Sequence, residues 1–170
     1  TVGINTPEIM AAQAKEYVEN GATILKIKLG KDVKTDVERI QAIRAVVGNE
    51  ITIRIDANQG WTVTDAIATL TQLGIYNIEF CEQPMRIHND AHLPELVKIS
   101  PIKIMADESV YHHYDAIRII ENKSCDYINI KFAKTGGILE AQKIVAIAKE
   151  NNIPAKHLSS ATHKESNILD

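Results

Sequence analysis

Short apolar runs alternate with amphipathic stretches along most of the chain. After the second run, Val37, Ile40, Ile43 and Val47 recur at helical spacing until Gly48 ends the pattern. The apolar runs themselves are rich in β-branched residues, which is typical of buried strands. Seven runs have this character, namely TVGI, Ile24 to Leu29, ITIRI, NIEF, IKIM, YINI and IPA. The pattern therefore predicts seven strands with six helices between them.

Capping residues mark where several of the helices begin and end. Thr6 with Pro7 at the start and Gly21 at the end predict the first helix, because proline favours the first helical turn and glycine the position after the last. Thr64 is the predicted cap of the third helix, which should end at Gly74.

Strict alternation of strands and helices predicts parallel strands with right-handed crossovers. Two architectures satisfy this pattern, an open doubly wound sheet and a TIM-type (β/α)8 barrel. An open sheet collects its ligand groups at one switch point, whereas in a barrel the ends of successive strands face a common centre. Five successive strands here end in ionisable residues, and no glycine-rich phosphate loop follows the first strand. The expected fold is therefore an incomplete α/β barrel of about seven strands, formed by residues 1–170 as a single domain.

The ionisable residues at the strand ends are the candidates for chemistry. In chain order they are Lys26 with Lys28, Asp56, Glu82, Asp107 and Lys131. Residues two apart on a strand share a face, so both ammonium groups of the first strand should point the same way. Burying two lysines without counter-charges is costly, so we expect carboxylates to face them.

The three carboxylates Asp56, Glu82 and Asp107 offer only oxygen ligands, which suits a hard dication such as Mg2+. One acid at a strand end is more often a helix cap or a salt-bridge partner, but three on successive strands favour a metal site. Asn58 has either a turn role or a site role. Glu108 should point away from the site and support Asp107 without binding the metal itself.

Composition narrows the class of protein. The chain has 170 residues, of which 45% are apolar and 24% charged, with a net charge of −3. This charge balance gives no electrostatic footprint for nucleic acid, and no apolar run is long enough to span a membrane. Cys81 and Cys125 lack metal-type spacing, which favours a reducing, cytoplasmic location.

The motifs KIK, DANQGW, EQP, ADES and NIKFAKTGG, in this order and spacing, resemble the barrel domain of the enolase superfamily. Within it the resemblance is to the muconate-lactonizing subgroup and most closely to the dipeptide epimerases, and it covers residues 1–155. The resemblance implies that Lys28 and Lys131 are acid/base catalysts on opposite faces of the substrate and that Lys26 assists. It also implies that Asp56, Glu82 and Asp107 bind Mg2+.

The implied reaction removes and returns the proton next to a carboxylate, through an enolate that the metal stabilises. The substrate would be a small molecule, a dipeptide of the L-Ala-D/L-Glu type or another carboxylate. Lys134, in the glycine-containing loop after Lys131, is a candidate substrate contact. The alternatives are an o-succinylbenzoate synthase or muconate cycloisomerase, and a partial barrel that binds Mg2+ without catalysis. A nucleotide-binding open α/β domain would need a phosphate loop.

The sequence also departs from that family. The family's N-terminal capping domain and its eighth strand with an Asp-x-Asp motif are absent from these residues. Glu165 and Ser166 resemble a Glu-Ser pair of the family, but the preceding residues differ and no role is carried over. Barrels usually need about 200 residues or more. We therefore expect either a piece of a longer protein or a homo-oligomer that covers two open edges, at TVGI and at Ile153 to Lys156.

Overall fold

A computed structural model describes residues 1–157 and the backbone of 166–167. By its contacts the chain divides into two compact units. Unit 1 comprises Thr1–Arg86 and Ser100–Ile102, and unit 2 comprises Ile87–Ile99 and Lys103–Asp170. Strands and helices alternate in both units, as the hydrophobic pattern predicts.

Three parallel strands form the centre of unit 1. Its elements are α1 (Pro7–Glu19), β1 (Ile24–Lys28), α2 (Val33–Val47), β2 (Thr52–Asp56), α3 (Val63–Leu73), a 3-10 turn (Gly74–Tyr76) and β3 (Ile78–Glu82). Lys28 lies opposite Asp56 in the register of β1 with β2, and Asp56 lies opposite Glu82 in that of β2 with β3. The strands therefore end level, which places their last residues side by side.

The pleat of β1 separates its apolar and charged residues. Leu25 and Ile27 are buried, whereas Lys26 and Lys28 point to the other face and are partly exposed. Because successive side chains of a strand point to opposite faces, this alternation follows directly from the sequence. The apolar residues join the core of the unit, and the two ammonium groups share one face, as predicted.

Unit 2 also contains three parallel strands. Its elements are a 3-10 turn (Ile87–His92), α4 (Leu93–Ile99), β4 (Lys103–Ala106), α5 (His113–Glu121), β5 (Tyr127–Asn129), α6 (Ile138–Glu150), β6 (Ala155–His157) and β7 (Ser166–Asn167). Strands β4, β5 and β6 pair in parallel, and β7 pairs antiparallel with β6.

Three local predictions need correction, and a fourth is confirmed. TVGI is not a strand, because within it only Val2 forms a bridge, with Ile27. The cap of α3 is Thr62, whose side chain accepts a hydrogen bond from the Asp65 amide, while the predicted cap Thr64 lies inside the helix. The predicted open edge at Ile153 to Lys156 is partly covered, since Lys156 pairs with Asn167 of β7. Thr6 does hold the cap position of α1, but its side chain makes no capping hydrogen bond there.

Each unit buries one cysteine. Cys81 lies in β3 and is fully buried, and Cys125 precedes β5 with 6% of its surface exposed. Both thiols are free. Burial raises the pKa of the Cys81 thiol well above its usual range and that of Cys125 to about 12. Both are therefore protonated, unreactive core residues at neutral pH.

The α/β class with parallel strands is confirmed, whereas the incomplete TIM-type barrel stays a prediction. Glu165 lies outside the described residues. Within those residues, no helix has the length and hydropathy needed to cross a bilayer.

Candidate functional site

The first candidate cluster lies at the ends of β1, β2 and β3 in unit 1. The Lys26 Nζ atom donates to Glu82 Oε2 at 2.5 Å and lies 2.8 Å from Asp56 Oδ2. Lys28 Nζ donates to the same Asp56 oxygen at 2.7 Å and to Asn58 Oδ1 at 2.5 Å. Both carboxylates are fully buried. The predicted carboxylate partners of the two lysines are thus confirmed within this unit.

Asn58 lies in the turn after β2 and also contacts the first cluster. Its φ of 44° lies in the left-handed region, which asparagine tolerates better than most residues. Its amide donates to Asp56 Oδ1 at 3.0 Å, while its side-chain oxygen accepts from Lys28. The turn after β2 therefore orients both the carboxylate and the lysine.

Lys26 is set up to remain charged. Burial alone would lower the pKa of this lysine, but the charges of Glu82 and Asp56 and their hydrogen bonds outweigh it, and the pKa is raised. An ammonium group that keeps its proton can bind an anion but cannot accept a proton. Lys26 therefore presents an ammonium group between the two carboxylates.

The second cluster lies at the ends of β4 and β5 in unit 2. Lys134 Nζ donates to Asp107 Oδ1 at 2.7 Å and to the Asp107 and Asn129 carbonyl oxygens at 2.5 and 3.1 Å. Lys131 Nζ donates to the other carboxylate oxygen, Asp107 Oδ2. Lys134 thus holds Asp107 in place, and the substrate contact suggested for it stays a prediction.

In this cluster, neighbouring charges counteract the effect of burial on the pKa of Asp107 and on that of Lys134. The net result differs between the two residues. Burial favours a raised pKa for Asp107, but Lys134 and Lys131 prevail and hold it below its usual range. Burial lowers the pKa of Lys134, and the nearby Lys131 adds to this; Asp107 and Glu108 do not fully offset them. Glu108 therefore acts on this cluster through its charge on Lys134.

Asp36 is a site residue that the sequence reasoning missed. This buried carboxylate of α2 accepts hydrogen bonds from the amides of Gly30 and Lys31 at 3.0 and 2.9 Å, and from Trp61 Nε1 at 2.8 Å. Arg39 Nη1 supplies a further contact at 2.7 Å. Asp36 therefore ties the loop that follows Lys28 to the loop that follows Asp56.

The donor chemistry of the first cluster fits a hard cation. Asp56 and Glu82 are buried acids whose oxygens meet at one ammonium group, that of Lys26. Carboxylate oxygens are the ligands that Mg2+ uses in proteins. Among the residues that the structure describes, neither unit alone brings three His, Cys, Asp or Glu side chains into a metal-site arrangement.

Comparison with known proteins gives a consistent family. Residues 9–165 match the sequence profile of the family described as Enolase C-terminal domain-like. The chain is 44% identical over 156 residues to the D-Ala-D/L-Ala epimerase of Cytophaga hutchinsonii, covering 92% of this chain and 42% of that protein. It is 43% identical over 153 residues to the L-Ala-D/L-Glu epimerase of Bacillus subtilis, covering 88% and 42%.

Solved structures agree with these matches. A dipeptide epimerase from Cytophaga hutchinsonii, complexed with Mg and the dipeptide D-Ala-L-Val, superposes with a TM-score of 0.89 at 44% identity. That match covers 91% of this chain and 42% of the other. The chain thus spans less than half the length of the curated relatives that it matches.

Proposed function

Since the chain belongs to the enolase C-terminal domain-like family, we propose that it is the catalytic part of a Mg2+-dependent epimerase of dipeptides, of the L-Ala-D/L-Glu type. The observation that carries the proposal is a lysine on a buried strand-end carboxylate in each unit. Lys28 contacts Asp56 in unit 1, and Lys131 contacts Asp107 in unit 2. Epimerisation by proton transfer needs two such bases, one for each face of the reacting carbon.

In this proposal the lysines have different roles. Lys28 and Lys131 remove and return the proton next to the substrate carboxylate, each acting on one face. Lys26 binds the substrate carboxylate and helps to hold the negative charge that develops there. Asn58 orients Lys28 through its 2.5 Å hydrogen bond. Lys134 orients Asp107 in the same way.

Mg2+ is the proposed cofactor, with Asp56, Glu82 and Asp107 as its carboxylate ligands. When bound, the ion supplies positive charge next to the oxygens of the substrate carboxylate. Support comes from the oxygen-only chemistry of these residues and from the complete burial of Asp56 and Glu82. The Mg named in the Cytophaga hutchinsonii complex supports the same choice. Assembly into homo-oligomers and a cytoplasmic location remain predictions.

Solvent-deuterium exchange tests the division of work between the two bases. The protein that contains this chain is incubated in D2O with each epimer of L-Ala-Glu, as wild type and as Lys28→Ala and Lys131→Ala. Each substitution should lower epimerisation by about 10²- to 10⁴-fold. One variant should still exchange the α-proton of the L-epimer, and the other variant that of the D-epimer.

The matched control is Lys34→Ala, which removes an exposed lysine of α2 and should change neither rate. If both base variants exchange the same epimer, Lys28 and Lys131 do not act on opposite faces and the two-base proposal is wrong.

A further inference from the structure

An open cavity of about 780 Å³ lies beside Lys28 within unit 1. Its walls come from the loop after β1, the loop after β2 and Arg86. The charged residues that line it are Lys28, Lys31 and Arg86, and no carboxylate residue is among the lining residues. A cleft lined by charges of one sign concentrates ligands of the opposite sign.

Two of these three positive charges have no counter-charge in the described part of the chain. Lys28 is balanced by Asp56 at 2.7 Å. The side chains of Lys31 and Arg86 are exposed, and neither forms an ion pair with a described carboxylate. The cavity thus presents net positive charge to whatever enters it.

The backbone that carries Lys31 is fixed. The Asp36 carboxylate accepts hydrogen bonds from the Lys31 and Gly30 backbone amides, which fixes the loop after β1. Gly30 has a φ of +100°, and a Cβ atom built on it would lie 2.2 Å from the Ala57 carbonyl oxygen. A Cβ on Gly60 would lie 2.2 Å from the Gly30 carbonyl oxygen. The two loops therefore touch backbone to backbone, and the floor of the cavity cannot shift easily.

Arg86 is anchored through the same network. The Trp61 amide donates to the Pro84 carbonyl oxygen at 3.2 Å, and Trp61 forms a parallel bridge with Met85, the residue before Arg86. The Trp61 side chain in turn donates to Asp36. Asp36 therefore fixes the backbone at Lys31 directly, and it fixes the backbone next to Arg86 through Trp61.

Resting on the proposed function, we propose that Lys31 and Arg86 form an anion subsite that binds the side-chain carboxylate of an acidic substrate residue. A substrate whose reacting carbon reaches Lys28 would place a neighbouring group in this cavity. An anionic group there pairs with two cations that otherwise face only water. A neutral or apolar side chain makes no such pair, so the subsite selects acidic dipeptides.

Equilibrium binding of matched dipeptides tests the subsite without requiring turnover. L-Ala-L-Glu and its neutral counterpart L-Ala-L-Gln are titrated into the protein with Mg2+ present, and the fluorescence of Trp61, the single tryptophan of these 170 residues, is followed. The acidic dipeptide should bind about tenfold more tightly at low salt. This preference should shrink as ionic strength rises, because exposed charges are screened.

Substitutions of Lys31 and Arg86 test whether these two residues cause the preference for the acidic dipeptide. Lys31→Gln and Arg86→Gln should each reduce the preference several-fold, whereas Lys34→Gln, an exposed lysine outside the cavity, should leave it unchanged. Equal affinity for both dipeptides, no binding of either, or an unchanged preference in both variants would overturn the subsite. A comparable gain for N-succinyl-L-alanine over N-acetyl-L-alanine would also overturn it, by assigning the subsite to an acyl carboxylate.

Proton exchange on the same dipeptides separates this proposal from the proposed function. A Glu preference without exchange upholds the subsite and rejects the reaction. Exchange on both dipeptides without a Glu preference upholds the reaction and rejects the subsite.

Discussion

The two lysine–carboxylate clusters contain the same residue types in different proportions, with two carboxylates for two lysines in unit 1 and one carboxylate for two lysines in unit 2. In unit 1, the ammonium group of Lys26 lies between two carboxylates, those of Asp56 and Glu82. In unit 2, the single carboxylate of Asp107 lies between two ammonium groups, those of Lys131 and Lys134. The pKa of Lys26 is raised and that of Asp107 is lowered, so the charged form of each shared group is favoured.

Burial lowers the pKa of both lysines, but the charges that surround them differ. The Lys26 side chain is 19% exposed and that of Lys134 is 9% exposed, so both lose much of their hydration. The pKa of Lys26 is nevertheless raised, whereas burial and the neighbouring Lys131 lower that of Lys134. The charges of Glu82 and Asp56 outweigh burial at Lys26, whereas those of Asp107 and Glu108 do not outweigh burial and Lys131 at Lys134. The two lysines should therefore respond differently to removal.

The largest expected effect comes from replacing each of these lysines by methionine. Lys26→Met removes the ammonium group that two fully buried carboxylates share, and we expect a loss of about 3 kcal/mol in the free energy of unfolding. Lys134→Met leaves Asp107 with Lys131 and removes a lysine whose burial is unfavourable, so the loss should be about 1 kcal/mol. Urea titrations followed by circular dichroism measure both values.

Lys34→Met serves as the control for these titrations, because the Lys34 side chain is 87% exposed and its substitution should cost about 0.5 kcal/mol or less. Similar losses for Lys26→Met and Lys134→Met would mean that the number of carboxylates does not set the energetics of the clusters.

Mg2+ should produce the next largest effect. If the carboxylates bind the ion, saturating Mg2+ raises the thermal midpoint, equivalent to about 2.7 kcal/mol at a hundredfold excess over Kd. Glu82→Gln should abolish this rise, while Glu38→Gln on the exposed side of α2 should not. A rise that persists in Glu82→Gln contradicts the role of Glu82. The response of Asp107→Asn decides whether the second cluster also contributes a ligand.

The smallest effect concerns a carboxylate at the surface of unit 2. Glu140 accepts hydrogen bonds from the His113 amide and ring, which lower the pKa of Glu140 from its usual 4.5 to about 2. A carboxyl group with a lowered pKa stabilises the fold above its usual value and loses this contribution as pH falls toward about 2. Glu140→Gln should therefore lower the thermal midpoint at neutral pH.

The difference between wild type and Glu140→Gln should shrink as pH falls from 4.5 toward 2, which thermal scans at several pH values can follow. Glu121→Gln, at the end of α5, should leave the midpoint unchanged at every pH. A Glu140→Gln difference that stays constant with pH would show that His113 does not depend on the charge of Glu140.

The residues at the strand ends could be predicted because they follow from the local sequence pattern. Five successive apolar runs end in a charged residue, and parallel strands of similar length end level, so Lys28, Asp56 and Glu82 come together through register alone. No packing detail is needed for that result. The acid and base residues of the first cluster therefore follow from the sequence.

Asp36 shows what such reasoning misses. Position 36 shares a helical face with the apolar positions 40, 43 and 47, so an acid there had to be buried with partners. The sequence reasoning instead placed Val37 on this face, although Val37 is only half-buried. The contacts of Lys134 were unpredictable for another reason, since a long side chain in a glycine-containing loop can reach several acceptors. The cap of α3 was missed because Thr62 and Thr64 both carry a suitable hydroxyl group.

The two buried cysteines make the units separately observable. Alkylating reagents attack thiolates, so Cys81 and Cys125 should react only when the surrounding core opens. One thiol belongs to unit 1 and the other to unit 2. Pulse alkylation followed by peptide mass spectrometry would therefore time the opening of each unit within a single sample. No label has to be introduced, because the natural sequence already carries one reporter in each unit.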